Sequence, residues 1–277
     1  MHKVIIIGGG PAGISAGIYL IRAGIDVLII DNNRSSLLKT EKIENYYGFE
    51  TPISGKELYE KGQKQFKRLG GNIINDEIVS LNYENNFIVI GKESYECEYL
   101  IIATGASKLM PNIKGLEEGP HISFCAICDA FFYRNKRVAV LGSGLYALSE
   151  ASHLKDVTSD VTILTNGNDI LDDKFNKENN IIEHIENNGN SINVYFTDTT
   201  KQTFDGLFIA EGVAGAGALS KKIGIKLKDN SIDIDENRKT NIPNIYAIGD
   251  CVVGTKQIAK AVNDGMMAAL DIIRKKK

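Results

Sequence analysis

The sequence predicts an α/β protein that contains two dinucleotide-binding units. Two separate runs of strand, glycine-rich turn and helix carry this prediction, one starting at Val4 and the other at Val138. The chain has 277 residues, of which 43% are hydrophobic, so it is long and apolar enough for two domains.

The N-terminal run has the complete order of a dinucleotide fold: strand, glycine turn, helix, strand and acid. These features are, in order, Val4–Ile7, Gly8–Gly13, Pro11–Ala23, Val27–Ile30 and Asp31. A proline in the first turn of a helix loses no hydrogen bond, so Pro11 is compatible with the helix start. The complete unit is far more specific than an isolated glycine motif, and we interpret its turn as a phosphate loop.

Each glycine of this turn has its own task. Gly8 makes the tight turn, Gly10 lets the backbone approach a pyrophosphate, and Gly13 lets the helix pack closely on the sheet. The helix N-terminus offers free N–H groups and a partial positive charge to the same pyrophosphate. Asp31 can accept hydrogen bonds from ribose hydroxyls.

Between the two units, the sequence predicts a helix and four strands before a domain junction. The helix covers Lys56–Leu69, and the strands lie near Asn72–Ile74, Glu77–Leu81, Phe87–Ile90 and Tyr99–Ala103. The last strand leads into Thr104-Gly105-Ala106. Gly and Pro punctuate the stretch Pro111–Pro120, which marks the junction.

The second unit begins with a strand at Val138–Leu141 and a G-x-G-x-x-A turn at Gly142–Ala147. The elements predicted after this turn are a helix at Leu148–Leu154, a strand at Val161–Leu164, a helix around Lys177–Glu186, strands at Asn193–Phe196 and Leu207–Ala210, and a closing helix at Gln257–Ile273.

A cysteine pair, Cys125 and Cys128, precedes the second unit. Two cysteines separated by two residues can close a small disulfide ring and often have one acidic thiol, so the pair is typical of a redox or a metal site. A zinc site would need a second pair at ligand spacing, whereas Cys97 and Cys251 are isolated and the four histidines are scattered. The flanking nucleotide units and the adjacent Asp129 favour redox chemistry, and no metal is expected.

Net charge, apolar runs and cysteine content limit which partners and which cellular compartment are expected. A net charge of −3 gives no argument for binding to nucleic acid or to an anionic membrane, and no apolar run approaches the length of a membrane span. The strand and phosphate loop occupy the first residues, so no signal peptide is expected. A redox-type cysteine pair in a chain with four cysteines favours the cytoplasm.

Five motifs now stand in one order along the chain: Gly8–Gly13, Glu44–Phe49, Ala103–Ala106, Cys125–Asp129, and Ile248–Asp250 followed by Lys256-Gln257. Together they resemble the low-molecular-weight thioredoxin reductases, and the resemblance covers nearly the whole chain. It implies an α/β fold of two Rossmann-like dinucleotide-binding domains, the second inserted in the first. An FAD-binding domain would comprise residues 1–112 and 240–277, and residues 113–239 would form the domain of the redox-active disulfide and a degenerate nucleotide site.

The resemblance also implies residue roles. Cys125 and Cys128 would form the redox-active disulfide, with Cys128 exchanging electrons with the flavin, Cys125 attacking the partner disulfide, and Asp129 as the acid/base. Asn45 and Gln257 would lie near the flavin. The complete set of implied FAD-binding residues is Gly8, Gly10, Pro11, Ala12, Gly13, Asp31, Asn45, Thr104, Gly105, Gly249, Asp250 (on the ribitol), Gln257 and Ile258. The family further implies a homodimer, thioredoxin as partner, and a domain rotation that alternates access to the disulfide.

The sequence departs from that family where a nicotinamide cofactor would bind. Leu145-Tyr146 replaces a small polar pair, and Ser149-Glu150 keeps only one of two acids. Thr165-Asn166-Gly167 and Leu171 stand where cations usually bind a 2′-phosphate. Further departures occur at Arg34–Ser36, on the FAD side, and at Gly212–Gly217. These features resemble the ferredoxin-dependent flavin thioredoxin reductases, which implies reduced ferredoxin as the electron donor.

Other functions remain open at this point. The chain could use NADPH or NADH in a poor site, run the disulfide backwards as an FAD-dependent dithiol oxidase, or act as a non-catalytic FAD-binding redox sensor. Lys61, Lys64 and Arg68 share a helix face that could dock an acidic ferredoxin, although a solvated face is the favoured interpretation.

Overall fold

The computed structural model describes residues 1–106, 110–170, 174–211, 216–228 and 231–276, without the side chains of Ile127, Cys128 and Ala216. The chain forms two compact units: unit 1 is Met1–Ser107 with Gly215–Lys277, and unit 2 is Lys108–Ala214. The first division lies close to the predicted junction at 112. The second falls at 214/215, well before the predicted residue 240.

The first part of unit 1 contains six strands and two helices: β1 (His2–Ile7), α1 (Pro11–Arg22), β2 (Val27–Asp31), α2 (Gly55–Arg68), β3 (Asn72–Asn75), β4 (Ser80–Tyr83), β5 (Phe87–Ile90) and β6 (Ser94–Ile102). Pro11 occupies the first turn of α1 after the N-cap Gly10, as the sequence predicts. The strand predicted at Glu77–Leu81 begins instead at Ser80.

Unit 2 contains β7 (Ile122–Ser123), the one-turn helix α3 (Ala126–Asp129), β8 (Val138–Leu141), α4 (Leu145–Lys155), β9 (Val161–Leu164), β10 (Asn176–Glu178), β11 (Ile182–Asn187), β12 (Ile192–Phe196), β13 (Lys201–Phe204) and β14 (Gly206–Ile209). A parallel sheet has the order β10-β9-β8-β14-β7, and β11, β12 and β13 form a separate antiparallel sheet. The unit therefore keeps a dinucleotide-type βαβ core beside a small meander.

The helix predicted around Lys177–Glu186 is wrong, because the chain forms β10 and β11 there. Ile182 and Ile185 are three residues apart, which is a helical spacing, and both are buried. A register shift between Ile182 and His184 lets two residues that differ by an odd number point to the same side of a strand. The bulge thus reproduces a helical hydrophobic pattern inside a sheet.

The chain returns to unit 1 with α5 (Ala216–Lys222), β15 (Leu227–Lys228), β16 (Ser231–Ile232), β17 (Ile245–Ala247) and α6 (Ile258–Lys275). The main sheet has the order β3-β2-β1-β6-β5-β4, with β17 parallel to β6. Helix α5, which was not predicted, packs against β4, so residues before 240 already belong to this unit. The predicted fold class is confirmed: two Rossmann-like α/β units, the second inserted in the first.

Helix α1 packs against α6 to form the core beside the phosphate turn. A Cβ at Gly265 would lie 2.3 Å from the carbonyl oxygen of Ala12, and a Cβ at Gly13 would lie 1.9 Å from that of Gly8. Both distances are impossible for a side chain, so glycine is required at these two approaches. The result is a rigid frame that fixes the N-terminus of α1.

Candidate functional sites of the two units

The cradle of unit 1 begins at the turn after β1. Gly8 has φ +113°, and a Cβ there would lie 2.3 Å from the carbonyl oxygen of Ala103. At Gly10, by contrast, an added Cβ would meet only Ser35 Oγ, at 3.5 Å. Helix α1 has no side-chain cap and no acid in its first turn. Its N-terminal N–H groups therefore lie beside an open approach, which fits a pyrophosphate.

Asp31 is buried and already holds the turn. Its Oδ1 accepts from the N–H of Gly9 at 3.0 Å, and its Oδ2 accepts from Gln63 Nε2 at 3.0 Å and from the hydroxyl of Tyr59. Burial, followed by the hydrogen bond to Asp31, raises the pKa of Tyr59, so its hydroxyl stays protonated and donating. A carboxylate offers about four acceptor positions, so roughly one remains for the predicted ribose contact.

The hydroxyl of Thr104 is an independent indication that a polar group binds at this site. Its Oγ1 is buried and has no hydrogen-bond partner among the described residues. Buried hydroxyls are almost always hydrogen-bonded, because an unsatisfied one costs free energy. The neighbouring Gly105 has φ +74° and open space where a Cβ would stand. The donor set at this strand end therefore fits a bound polar group such as a dinucleotide.

A buried ion cluster supports the Gly249-Asp250 turn. Asp264 is fully buried, its Oδ2 accepts from the N–H of Gly249 at 3.1 Å and from Lys260 Nζ at 2.8 Å, and its Oδ1 accepts from Arg238 Nε at 2.7 Å. Burial raises the pKa of Asp250, although Lys260 opposes this. Sequence reasoning found the turn but missed Asp264 and its two cations, because nothing local links them to it.

The structure brings together the two residues expected near the flavin. Asn45 Nδ2 donates to Gln257 Oε1 at 3.1 Å across a separation of 212 residues. Gln257 is the N-cap residue of α6, and Ile258 starts the helix and packs on a small apolar cluster around Leu37. A groove of about 610 Å³ opens beside this point and is lined by Gly9, Gly10, Pro11 and Ile258 among others.

The redox turn of unit 2 lies between β7 and α4. Cys125 is buried and disulfide-bonded. The side chain of Cys128 is outside the described residues, so its pairing with Cys125 stays a prediction. Cys97 and Cys251 are free and buried, as expected, and burial raises the pKa of each thiol to about 12.

Ser123 links the cysteine to the predicted acid. Its hydroxyl donates to Asp129 Oδ2 at 2.7 Å, and its Oγ accepts from the N–H of Cys125 at 3.1 Å. The N–H of Asp129 in turn donates to the carbonyl oxygen of Cys125 at 3.2 Å. The carboxylate is therefore held beside the cysteine turn, where an acid/base is needed. Sequence reasoning missed Ser123, for which a hydroxyl two residues before the first cysteine is the only local signal.

The second glycine turn is packed like the first. A Cβ at Gly142 would lie 2.2 Å from the carbonyl oxygen of Ala210. The side chains around this turn, however, form hydrogen bonds within the protein. The hydroxyl of Tyr146 donates to the carbonyl oxygen of Phe124 at 3.0 Å, buried Thr165 donates to Asn179 Oδ1 at 3.1 Å, and Asn166 Oδ1 accepts from the N–H of Ile182 at 2.8 Å. Leu171, the fourth departure expected here, lies outside the described residues.

Two surface features complete the description. Phe131 and Phe132, just after the redox turn, are 70% and 68% exposed, and Arg134 lies over the ring of Phe131. On α2, Lys61 pairs with Glu57 at 3.0 Å, and Lys64 lies 4.0 Å from Glu60. These pairs neutralise much of the helix face and support its interpretation as a solvated surface. The described residues hold no group of three His, Cys, Asp or Glu placed for a metal, and none of their helices is long and apolar enough to cross a membrane.

Comparison with known proteins places this chain in a family. Residues 2–265 match the family described as pyridine nucleotide-disulphide oxidoreductase. The chain is 33% identical to the thioredoxin reductase of Buchnera aphidicola subsp. Acyrthosiphon pisum over 97% of its own length and 95% of that protein. It is 30% identical to the thioredoxin reductase of Bacillus subtilis, over 98% and 94% of the two chains.

Solved structures of similar proteins support the same family. An atypical thioredoxin reductase from Desulfovibrio vulgaris Hildenborough superposes with a TM-score of 0.90 at 32% identity, over 100% and 99% of the two chains. A ferredoxin-flavin thioredoxin reductase from Clostridium acetobutylicum gives 0.75 at 27% identity, over 99% and 98%. The chain belongs to the pyridine nucleotide-disulphide oxidoreductases. Within them it is an enzyme of the thioredoxin reductase type, an FAD flavoprotein that acts on disulfides, as expected.

Proposed function

We propose that this enzyme transfers electrons from reduced ferredoxin, through FAD and the Cys125–Cys128 disulfide, to a disulfide of thioredoxin. One observation supports ferredoxin as the electron donor: the side chains at the second nucleotide site form hydrogen bonds within the protein itself. Tyr146 and Thr165 are buried, Asn166 binds a backbone N–H, and residues 165–173 contain no cation. One neighbour of similar structure is itself a ferredoxin-flavin thioredoxin reductase, which supports the same donor.

The missing cations have a large energetic effect. A hydrogen bond to a charged group contributes about 1.5–3 kcal/mol. Losing two or three of them would weaken NADPH binding by roughly a thousandfold or more. A ferredoxin near −400 mV, in contrast, lies about 130 mV below thioredoxin, which amounts to about 6 kcal/mol downhill for two electrons. The reaction therefore does not need a nicotinamide donor.

The cradle of unit 1 would hold FAD through the turn from Gly8 to Gly13, Thr104 and Asp250, with Asn45 and Gln257 on the flavin side. When bound, FAD supplies the link between a one-electron donor and a two-electron disulfide. The residues named here and the remaining implied contacts are part of the proposal. The orphaned hydroxyl of Thr104 is the observation that supports them most directly.

Thiol exchange follows from the redox turn. In the reduced pair, the thiolate of Cys125 attacks the partner disulfide and forms a mixed disulfide. Asp129, held by Ser123, takes the proton of the Cys125 thiol as the thiolate forms and delivers it to the departing partner sulfur. Cys128 then attacks the sulfur of Cys125 in the mixed disulfide, the thiol proton of Cys128 passes to the second partner sulfur, and the Cys125–Cys128 disulfide closes as that partner thiol leaves. Cys125 is buried, so it must become accessible before the first step, which agrees with the domain rotation that the family implies.

Exposed aromatic side chains support two protein contacts. Phe131 and Phe132 lie directly beside the redox turn, where a protein disulfide must approach, and we assign them to thioredoxin docking. In unit 1, Tyr19, Tyr47 and Phe49 are exposed along the groove between α1 and α2, which supports the expected homodimer. Light scattering should give twice the monomer mass. A cytoplasmic location and the absence of metal and nucleic acid complete the proposal.

The decisive test is anaerobic reduction of the flavin by reduced ferredoxin, NADPH and NADH in parallel. Reduced ferredoxin should bleach the flavin rapidly, and neither nicotinamide should do so at micromolar concentration. Rapid bleaching by NADPH or NADH would return the chain to the nicotinamide-dependent reductases. Bleaching by none of the three would favour the dithiol oxidase. An ionic-strength dependence of the ferredoxin rate would show whether charged side chains such as Arg68 take part.

A further inference from the structure

Two side chains of α4 form hydrogen bonds to the backbone groups on either side of Cys125. The hydroxyl of Tyr146 donates to the carbonyl oxygen of Phe124 at 3.0 Å, and Glu150 Oε2 accepts from the N–H of Ala126 at 2.6 Å. Both side chains are buried, Glu150 completely. They stand four residues apart, on one face of the helix. In this way α4 contacts the redox turn directly before and directly after its first cysteine.

We propose that Tyr146 and Glu150 are positioning residues that fix the Cys125 turn, and that the carboxylate of Glu150 makes the thiols of the reduced pair less acidic. The inference depends on the disulfide chemistry and not on which donor feeds it. It also gives a role to Tyr146, which departs from the family pattern, and to Glu150, the one acid of that pattern that this chain keeps. In place of a polar pair that faces a nucleotide, the start of α4 has a tyrosine that faces the redox turn.

The position of the charge supports the second half of the proposal. Glu150 accepts from the N–H of Ala126 at 2.6 Å, so its carboxylate is held at the peptide group that directly follows the reacting Cys125. A nearby negative charge disfavours a thiolate and raises the thiol pKa. A pair with less acidic thiols has a less stable reduced form, so it is a weaker oxidant and a better electron donor to another disulfide.

Other ionisable groups stand on the elements packed against α3. These are Asp129 of α3 itself, Tyr133 in the 3-10 turn that follows it, and Tyr146, Glu150, His153 and Lys155 of α4. Tyr146 stays a neutral donor, because burial and the charge of Glu150 raise its pKa. Asp129 is the other acid close to the turn, and its bond to Ser123 holds it in place.

Glu150→Gln separates charge from shape. Glutamine keeps an oxygen that accepts from the N–H of Ala126 but carries no charge. The thiol pKa of the reduced variant should fall by about one unit, and the disulfide should become easier to reduce by up to a factor of ten, or about 30 mV. The pKa is measured from thiolate absorbance or alkylation rate against pH, and the midpoint potential from titration with dithiothreitol. Glu186→Gln, the same change at an exposed site on β11, should alter neither quantity.

Tyr146→Phe tests the positioning role without changing charge. It should lower the melting temperature and leave the thiol pKa where it is in the unmodified protein. If Glu150→Gln leaves both the pKa and the potential unchanged, the charge role is refuted while the proposed function stands. A disulfide that dithiothreitol never opens in the unmodified protein would overturn the proposed function as well. If Glu150→Gln does not fold, hydrogen exchange of the Ala126 amide is measured by NMR in the unmodified protein. Slow exchange supports the hydrogen bond to Glu150, and fast exchange refutes it.

Discussion

Replacing Thr104 by valine should have opposite effects on the FAD-free and FAD-bound protein. Valine has the same shape but no hydroxyl, and in this structure Oγ1 is buried without a partner among the described residues. Leaving a buried polar group unsatisfied costs about 1–3 kcal/mol. Thr104→Val should therefore stabilise the FAD-free protein by up to about that amount, which corresponds to roughly 2–4 °C in melting temperature for each kcal/mol.

In the FAD-bound protein the same hydroxyl is expected to bond to the cofactor. The loss of this hydrogen bond should weaken FAD binding by about 0.5–1.5 kcal/mol, or roughly two- to tenfold in dissociation constant. The stabilisation of the FAD-free protein lowers the affinity for FAD further, because it favours the unbound state. Flavin fluorescence titration measures the affinity, and thermal melts with and without FAD measure the two stabilities.

Thr158→Val is the matched control. Thr158 is also a threonine with a buried side chain, but its hydroxyl donates to the carbonyl oxygen of Lys136 at 2.6 Å. That variant should lose about 1–2 kcal/mol of stability and keep its FAD affinity. If Thr104→Val instead destabilises the FAD-free protein and binds FAD as tightly as before, Thr104 is not part of the cofactor site.

Three further predictions concern both units. Asp129→Asn should slow disulfide reduction by roughly 10–1000-fold, measured as insulin-coupled thioredoxin turnover, while the flavin is still reduced at its normal rate. Asp264→Asn leaves two partly buried cations without their charge partner and should cost up to about 3–5 kcal/mol in urea unfolding, with weaker FAD binding; an unchanged midpoint would contradict the assigned support of the Gly249 turn. Cys97 and Cys251 should resist iodoacetamide in the folded protein at pH 8, because burial raises their pKa from 9.0 to about 12. Since the folded pKa lies above the unfolded one, their contribution to stability is complete below about pH 9 and is lost as the pH rises through about 12.

The sequence alone determined the features that depend on near neighbours. Glycine spacing predicts both tight turns, since part of the crowding lies inside each turn: a Cβ at Gly13 would lie 1.9 Å from the carbonyl oxygen of Gly8, and one at Gly142 would lie 3.0 Å from the Cβ of Ala147. The apolar runs predict the parallel strands, and the order of five motifs predicts the family and its cofactor. The helix expected at Lys177–Glu186 failed because a bulge in β11 imitates a helical spacing, which pattern reasoning cannot distinguish from a helix.

Only the tertiary structure decided which side chains meet across long separations. Asp31 receives Tyr59 and Gln63 from α2, Gly249 is held by Asp264 from α6, and Asn45 reaches Gln257. These contacts depend on how helices pack on a sheet, and no local pattern encodes that packing. The same holds for Glu150 at the redox turn: its place in the sequence suggests a remnant of a nucleotide site, and folding places its carboxylate on the N–H after Cys125.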